Sequence, residues 1–99
     1  MAAITDEQVE RVRALVASIP SGRVATYGDI ASAAGLSSPR IVGWIMRTDS
    51  SDLPWHRVIT ASGRPSAHLV SRQLELLRTE GVLADDGRVP LREVRHQFD

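Results

Sequence analysis

Between Pro20 and Asp49 the chain is punctuated so tightly that only short helices fit. Pro20-Ser21-Gly22 stops whatever precedes it, Gly35 stops the next segment, and Ser38-Pro39 starts another. Thr26 is a good N-cap, with Asp29 three residues on in the reciprocal position of a capping box. The spacing predicts a helix over Tyr27–Ala34, with Gly35 in the left-handed position after its last turn. Ser38 then caps, Pro39 suits the first helical position, and a further helix is expected to about Arg47. Two short helices joined by a tight turn containing glycine form a helix-turn-helix pattern.

The flanks give the rest of one small domain spanning residues 1–99. Thr5 and Gln8 form another capping box. Val9, Val12, Leu15, Val16 and Ile19 recur at helical spacing, so a first amphipathic helix is expected to about residue 18. Arg23-Val24-Ala25 reads as an extended link. After a polar loop from Asp49 to Pro54, Val58-Ile59 reads as a short strand and Ser62-Gly63 as a turn. A fourth helix is expected from about Ser66 to Glu80, with Leu69, Val70, Leu74 and Leu77 inward and Gly81 ending it. Val82-Leu83 and Arg88-Val89 flank Asp85-Asp86-Gly87, which suits a small hairpin or wing. The fold class is mainly α with small β elements, a winged helix-turn-helix-like domain.

Composition removes several function classes. An apolar fraction of 42% and a charged fraction of 24% are those of a globular domain. The absence of cysteine excludes disulfides, Cys-ligated metal sites and a thiol nucleophile. No apolar run approaches the roughly 18 residues that suggest a membrane span, and nothing reads as a signal peptide, so a cytoplasmic protein with no membrane contact is expected. Net charge is zero, and every basic residue is arginine. Positive charge gathers in the middle: residues 20–72 carry a net of +3, against −1 before and −2 after. Zero net charge argues against strong non-specific nucleic-acid affinity but permits a basic face.

From Thr26 onward an ordered set of motifs stands out: Tyr27-Gly28-Asp29-Ile30-Ala31, Arg40-Ile41-Val42-Gly43, Pro54-Trp55-His56-Arg57-Val58-Ile59, Ser62-Gly63 and Glu80-Gly81. Together they resemble the DNA-binding domain of the O6-alkylguanine-DNA alkyltransferases. That family's reactive motif is Pro-Cys-His-Arg, and here Trp55 stands at the cysteine position. The sequence is therefore most similar to the alkyltransferase-like branch, the catalytically silent members with tryptophan at that place. The length leaves no room for the family's usual extra N-terminal domain.

Chemistry agrees with that silence. Dealkylation needs a soft anionic nucleophile. The indole nitrogen is a donor only, so it does not take an alkyl group from guanine oxygen. Trp55 offers instead a large flat surface on which an extruded base can stack. The plain alternative is a core tryptophan.

The resemblance implies further roles. Tyr27 would press on the phosphate of the target nucleotide, and Arg40 would enter the duplex where the flipped base was. A planar, always-charged guanidinium suits that stacking and bonding. The helix carrying Gly43 would lie in the minor groove. Gly43 itself, costing about 1 kcal/mol against alanine in a helix, suggests close approach of another backbone. Ile41 is assigned to the groove as a wedge and Trp44 to the core. The lesion pocket is expected to use Tyr27, Trp55, His56, Val58, Ser62, Gly63, His68 and Arg72, with Arg64 and Ser66 also candidates in the lid loop. DNA contacts are expected from Thr26, Tyr27, Ser38, Arg40, Ile41, Gly43, Arg47 and Arg64. His56 and Glu80 match residues that activate the thiolate in the enzymes, and are read here as a hydrogen-bonded brace under the pocket. Arg57 is expected to anchor its loop to backbone carbonyls, and Asp49 to tie the recognition helix to the pocket.

These readings converge on a non-enzymatic sensor of DNA damage that flips O6-alkylguanine from duplex DNA and needs no metal or cofactor. The resemblance implies nucleotide excision repair proteins as partners, and a monomer is the default. A winged helix-turn-helix transcriptional regulator, reading sequence in the major groove, is the alternative. An enzyme using another nucleophile is the third possibility.

Overall fold

The structure, a computed structural model, describes residues 4–66 and 69–98. Helix α1 (Asp6–Ala17) starts where Thr5 and Gln8 exchange both capping-box bonds, at 3.0 and 3.1 Å. Strand β1 (Ala25–Thr26) leads directly into α2 (Tyr27–Ala34), and Thr26 and Asp29 close the second capping box at 3.0 and 3.1 Å. Gly35 stops α2 at φ +71, a left-handed conformation that glycine adopts without a Cβ penalty. Ser38 Oγ accepts the Arg40 N–H, and α3 (Pro39–Thr48) follows. A single 3-10 turn, Trp55–Arg57, then enters strand β2 (Val58–Ile59). Helices α4 (Val70–Thr79) and α5 (Leu91–Val94) complete the fold. Among the described residues no helix is long and apolar enough to cross a membrane.

The strands pair in parallel, Ala25 with Val58 and Thr26 with Ile59. Val24 also pairs, through a bridge to Arg95, so the C-terminal segment flanks β1 on its other side. The strand pleat then divides the core. Ala25 and Val58 join Val12, Val16, Ile30, Val42 and Ile45 in a cluster that packs α1, α2 and α3 together. Val24 and Ile59 join Leu77, Val82 and Val89 in a second cluster under α4 and the C-terminal third. Two ion-paired arginines fix the periphery. Arg95 forks onto both Asp29 oxygens at 2.7 and 2.9 Å, and its hydrogen bond holds that carboxyl below the usual range against the opposing effect of burial. Arg13 bridges α1 to Asp52 and to the carbonyl and carboxylate of Asp49.

Several local expectations change in three dimensions. Helix α4 begins at Val70 rather than near Ser66, with no side chain capping it. Val70 is exposed, and Gln73 takes the inward position instead. The segment around Asp86-Gly87 makes one antiparallel bridge, Asp85 with Arg88, and its positive φ angles (+54 and +75) suit a tight hairpin turn. It does not extend into a wing, because Val82 and Val89 are drawn into the second core instead. On α3 the expected phase is reversed: Ile41 packs against the first core, while Trp44 is 47% exposed.

Candidate functional site

A cleft of about 820 Å³ lies between α3, the start of α2 and the Trp55 turn, a size ordinary for a ligand site. Tyr27, the first residue of α2, and Arg40, Gly43, Met46 and Arg47 of α3 line one side. Trp55, Val58, Ser66, Leu69 and Gln73 line the other. Trp55 is partly buried, its ring edge-on to His56 at 6.1 Å. It sits on the wall of an open cleft and not in a closed core.

What holds Trp55 there is a network behind it. Glu80, at the end of α4, accepts from Arg57 Nη2 at 2.7 Å and Nε at 3.1 Å, and from the Gly22 N–H at 3.1 Å. His56 Nε2 lies 2.8 Å from the same carboxylate. Arg57 Nη1 also donates to the Ile19 carbonyl at 2.9 Å. Burial alone would raise the Glu80 pKa, but the bonds from Arg57, His56 and Gly22 outweigh it and hold the group at about 2. One carboxylate thus ties the exit of α1, the 3-10 turn and α4. Gln73 adds a second clamp, donating from Nε2 to the carbonyls of His56 at 2.9 Å and Val58 at 2.6 Å. Sequence reasoning passed over Gln73. The signal was available: a polar residue at the centre of the i, i+4, i+8 series Leu69, Gln73, Leu77 is either misplaced or bonded.

The arginines sort themselves by partner. Arg11, Arg13, Arg57 and Arg95 each meet a carboxylate. Arg40 and Arg47, both exposed on the cleft rim, make no ion pair among the described residues. Helix α3 carries no acidic residue. Gly43 lies between them, and a Cβ built there meets nothing within 4 Å. The space it leaves is therefore not filled by any described part of this protein and opens outward.

Other expected site residues lie elsewhere. Thr26 is buried and engaged as the α2 cap, so it does not face a duplex. His56 bonds Glu80 as the expected brace under the cleft, and is not itself among the residues lining it. Ser62 bonds to Thr60 at the surface, and Gly63 packs on Val89, whose N–H donates to its carbonyl at 2.8 Å. Arg72 is exposed and off the cleft wall, because α4 turns Gln73 inward at that level. Arg64 reaches the Asp86 carbonyl at the hairpin turn, away from α3. Ile41 is drawn into the core, and Asp49 ties α3 to α1 through Arg13 rather than to the pocket. Arg57 does anchor to a carbonyl, with Glu80 as its larger partner. Ser38 caps α3 as expected. His68 lies outside the described residues. Among the described residues no group of three or more potential metal-ligating side chains converges.

A helix-turn-helix whose second helix presents two arginines with no ion pair among the described residues, beside a cleft walled by Trp55, defines the class of a nucleic-acid-binding domain. Residues 7–82 match the model of the 6-O-methylguanine DNA methyltransferase DNA-binding domain, and the chain belongs to that family. The DNA base-flipping protein of Escherichia coli K12 is 39% identical over 101 residues, covering 94% of this chain and 77% of that protein. Alkyltransferase-like protein 1 of Schizosaccharomyces pombe is 40% identical over 84 residues, 78% of either protein. The crystal structure of S. pombe Atl1 in complex with damaged DNA containing O6-carboxymethylguanine superposes with a TM-score of 0.81 at 32% identity, covering 97% of this chain and 100% of that one.

Proposed function

We propose that the chain is a non-enzymatic sensor of alkylated DNA. It lays α3 along the minor groove of a duplex, turns an O6-alkylguanine out of the stack and holds it in the cleft against Trp55. The observation that carries this reading is Trp55 on the wall of an open cleft roomy enough for a base, whose rim holds two arginines with no ion-pair partner among the described residues. Alkylation weakens the guanine–cytosine pair and so lowers the cost of extrusion, which favours the lesion. With no cysteine in the chain, the held base is not dealkylated by thiol transfer. The base-flipping and alkyltransferase-like names of the relatives, and a homologous complex with damaged DNA, support the reading. The bound complex, formed by a cytoplasmic monomer, then serves as a flag for nucleotide excision repair proteins.

The test is one duplex with and without a single O6-methylguanine. Tighter binding to the alkylated form, with the DNA mass unchanged after incubation, is expected. Equal affinity for both would point to a sequence-reading regulator, and loss of the alkyl group would mean an enzyme.

Two substitutions probe the docking helix. Arg40→Ala is expected to reduce extrusion, read as a smaller rise of 2-aminopurine fluorescence at the target site. An unchanged rise would count against insertion of Arg40. Gly43→Ala is expected to stabilise the free protein by about 1 kcal/mol, since helix propensity improves and the added methyl meets nothing. The same methyl is expected to weaken duplex binding by crowding the groove. A variant that gains stability with affinity intact would place the DNA elsewhere.

A further inference from the structure

The proposed function does not account for Trp44. Its ring is 47% exposed on α3, among the largest apolar surfaces the protein leaves to solvent. At 3.6 residues per turn, Arg40 and Arg47 lie one turn before and after it on the same exposed helix face. Gly43, Arg47, Arg40 and Trp44 follow one another around the outer half of the helix, opposite the buried Val42 and Ile45. Gly43 and both arginines line the cleft, and Trp44 does not. The arginines therefore form a ridge, with the base cleft on one side and Trp44 on the other.

We propose that Trp44 is a second aromatic contact to DNA, a wedge against the sugar and base edges next to the flipped nucleotide, which opens the minor groove and bends the duplex. This rests on the minor-groove docking of α3 proposed above. The occupant follows from charge and continuity: the ring is bracketed by two arginines that have no ion pair among the described residues, on a helix with no acid, which suits a phosphate-lined groove. The wedge follows from size. A minor groove about 6 Å wide does not admit a helix bearing an indole unless it widens, and apolar side chains at such positions partly unstack base steps and bend DNA toward the major groove. Lying across the ridge from the cleft, the ring touches neighbours of the lesion and not the lesion.

The test compares the whole protein with its Trp44→Ala and Trp44→Phe variants on end-labelled duplexes, with and without O6-methylguanine, reading affinity and end-to-end energy transfer. Trp44→Ala is expected to lose about tenfold in affinity on both duplexes alike, the size of one aromatic–base contact. The ratio between duplexes should stay the same, and the bend should relax. Trp44→Phe should retain most of both. Unchanged affinity and bend in the alanine variant would overturn the proposal and leave the ring for a protein contact. Loss of the ratio with general affinity intact would also overturn it, by moving Trp44 into lesion reading. A wild-type protein that binds both duplexes equally would sink the lesion-sensor reading while the variants still report on the wedge.

Discussion

Trp55→Ala is expected to erase most of the preference for alkylated over unmodified duplex, about tenfold or more in the affinity ratio, while binding to unmodified DNA falls by about twofold at most. The asymmetry follows from position. Trp55 lines the cleft, whereas the arginines proposed to meet the duplex sit on α3. Truncation leaves the arginine rim and α3 in place and removes only the surface proposed to hold an extruded base. Competition binding with the two duplexes reads the ratio directly. Equal loss on both would mean that the indole supports the fold or the backbone contacts instead of the base.

Glu80→Gln is expected to destabilise strongly, by about 3 kcal/mol, because it leaves Arg57 without its carboxylate in a partly buried site. For a domain of this size that is a fall in Tm of roughly 12–24 °C. The pH dependence carries the same information. Glu80 titrates at about 2 in the folded protein against 4.5 ordinarily. A depressed folded pKa means that the unfolded chain takes up the proton first. The stability Glu80 provides is therefore complete above about pH 4.5 and is lost as pH falls from there toward 2. Thermal melts should show the gap between wild type and variant closing across that window. A gap that stays constant with pH would remove the carboxylate charge from the explanation.

Legibility in the sequence followed the range of the interactions. The caps of α1, α2 and α3 are exchanges within three residues, so Thr5, Thr26 and Ser38 mark those helices before any fold is known. The pairing of β1 with β2 was hidden, since two-residue strands 33 positions apart in register leave no pattern. The phase of α3 is not legible in its own residues for a related reason. Ile41 and Trp44 are both apolar, and which of them faces inward is decided by where α1 and α2 lie, not by the ten residues of the helix. Gln73 is buried because it serves carbonyls of the Trp55 turn, a partner invisible from within α4. The motif resemblance located Trp55, Tyr27, Arg40 and the His56–Glu80 pair, because their order along the chain is specific. It gives the His56–Glu80 brace but assigns Ser62, Gly63 and Arg72 to a lining they do not join, since that depends on side-chain direction.

The most direct measurement is the emission of Trp55 alone, in a Trp44→Phe background, during titration with a duplex bearing one O6-methylguanine. A saturable change in emission at one protein per lesion, with a much smaller change on the unmodified duplex at equal occupancy, is the expected result. The same change on both duplexes, or none on either despite binding, would contradict the placement of the damaged base against this ring.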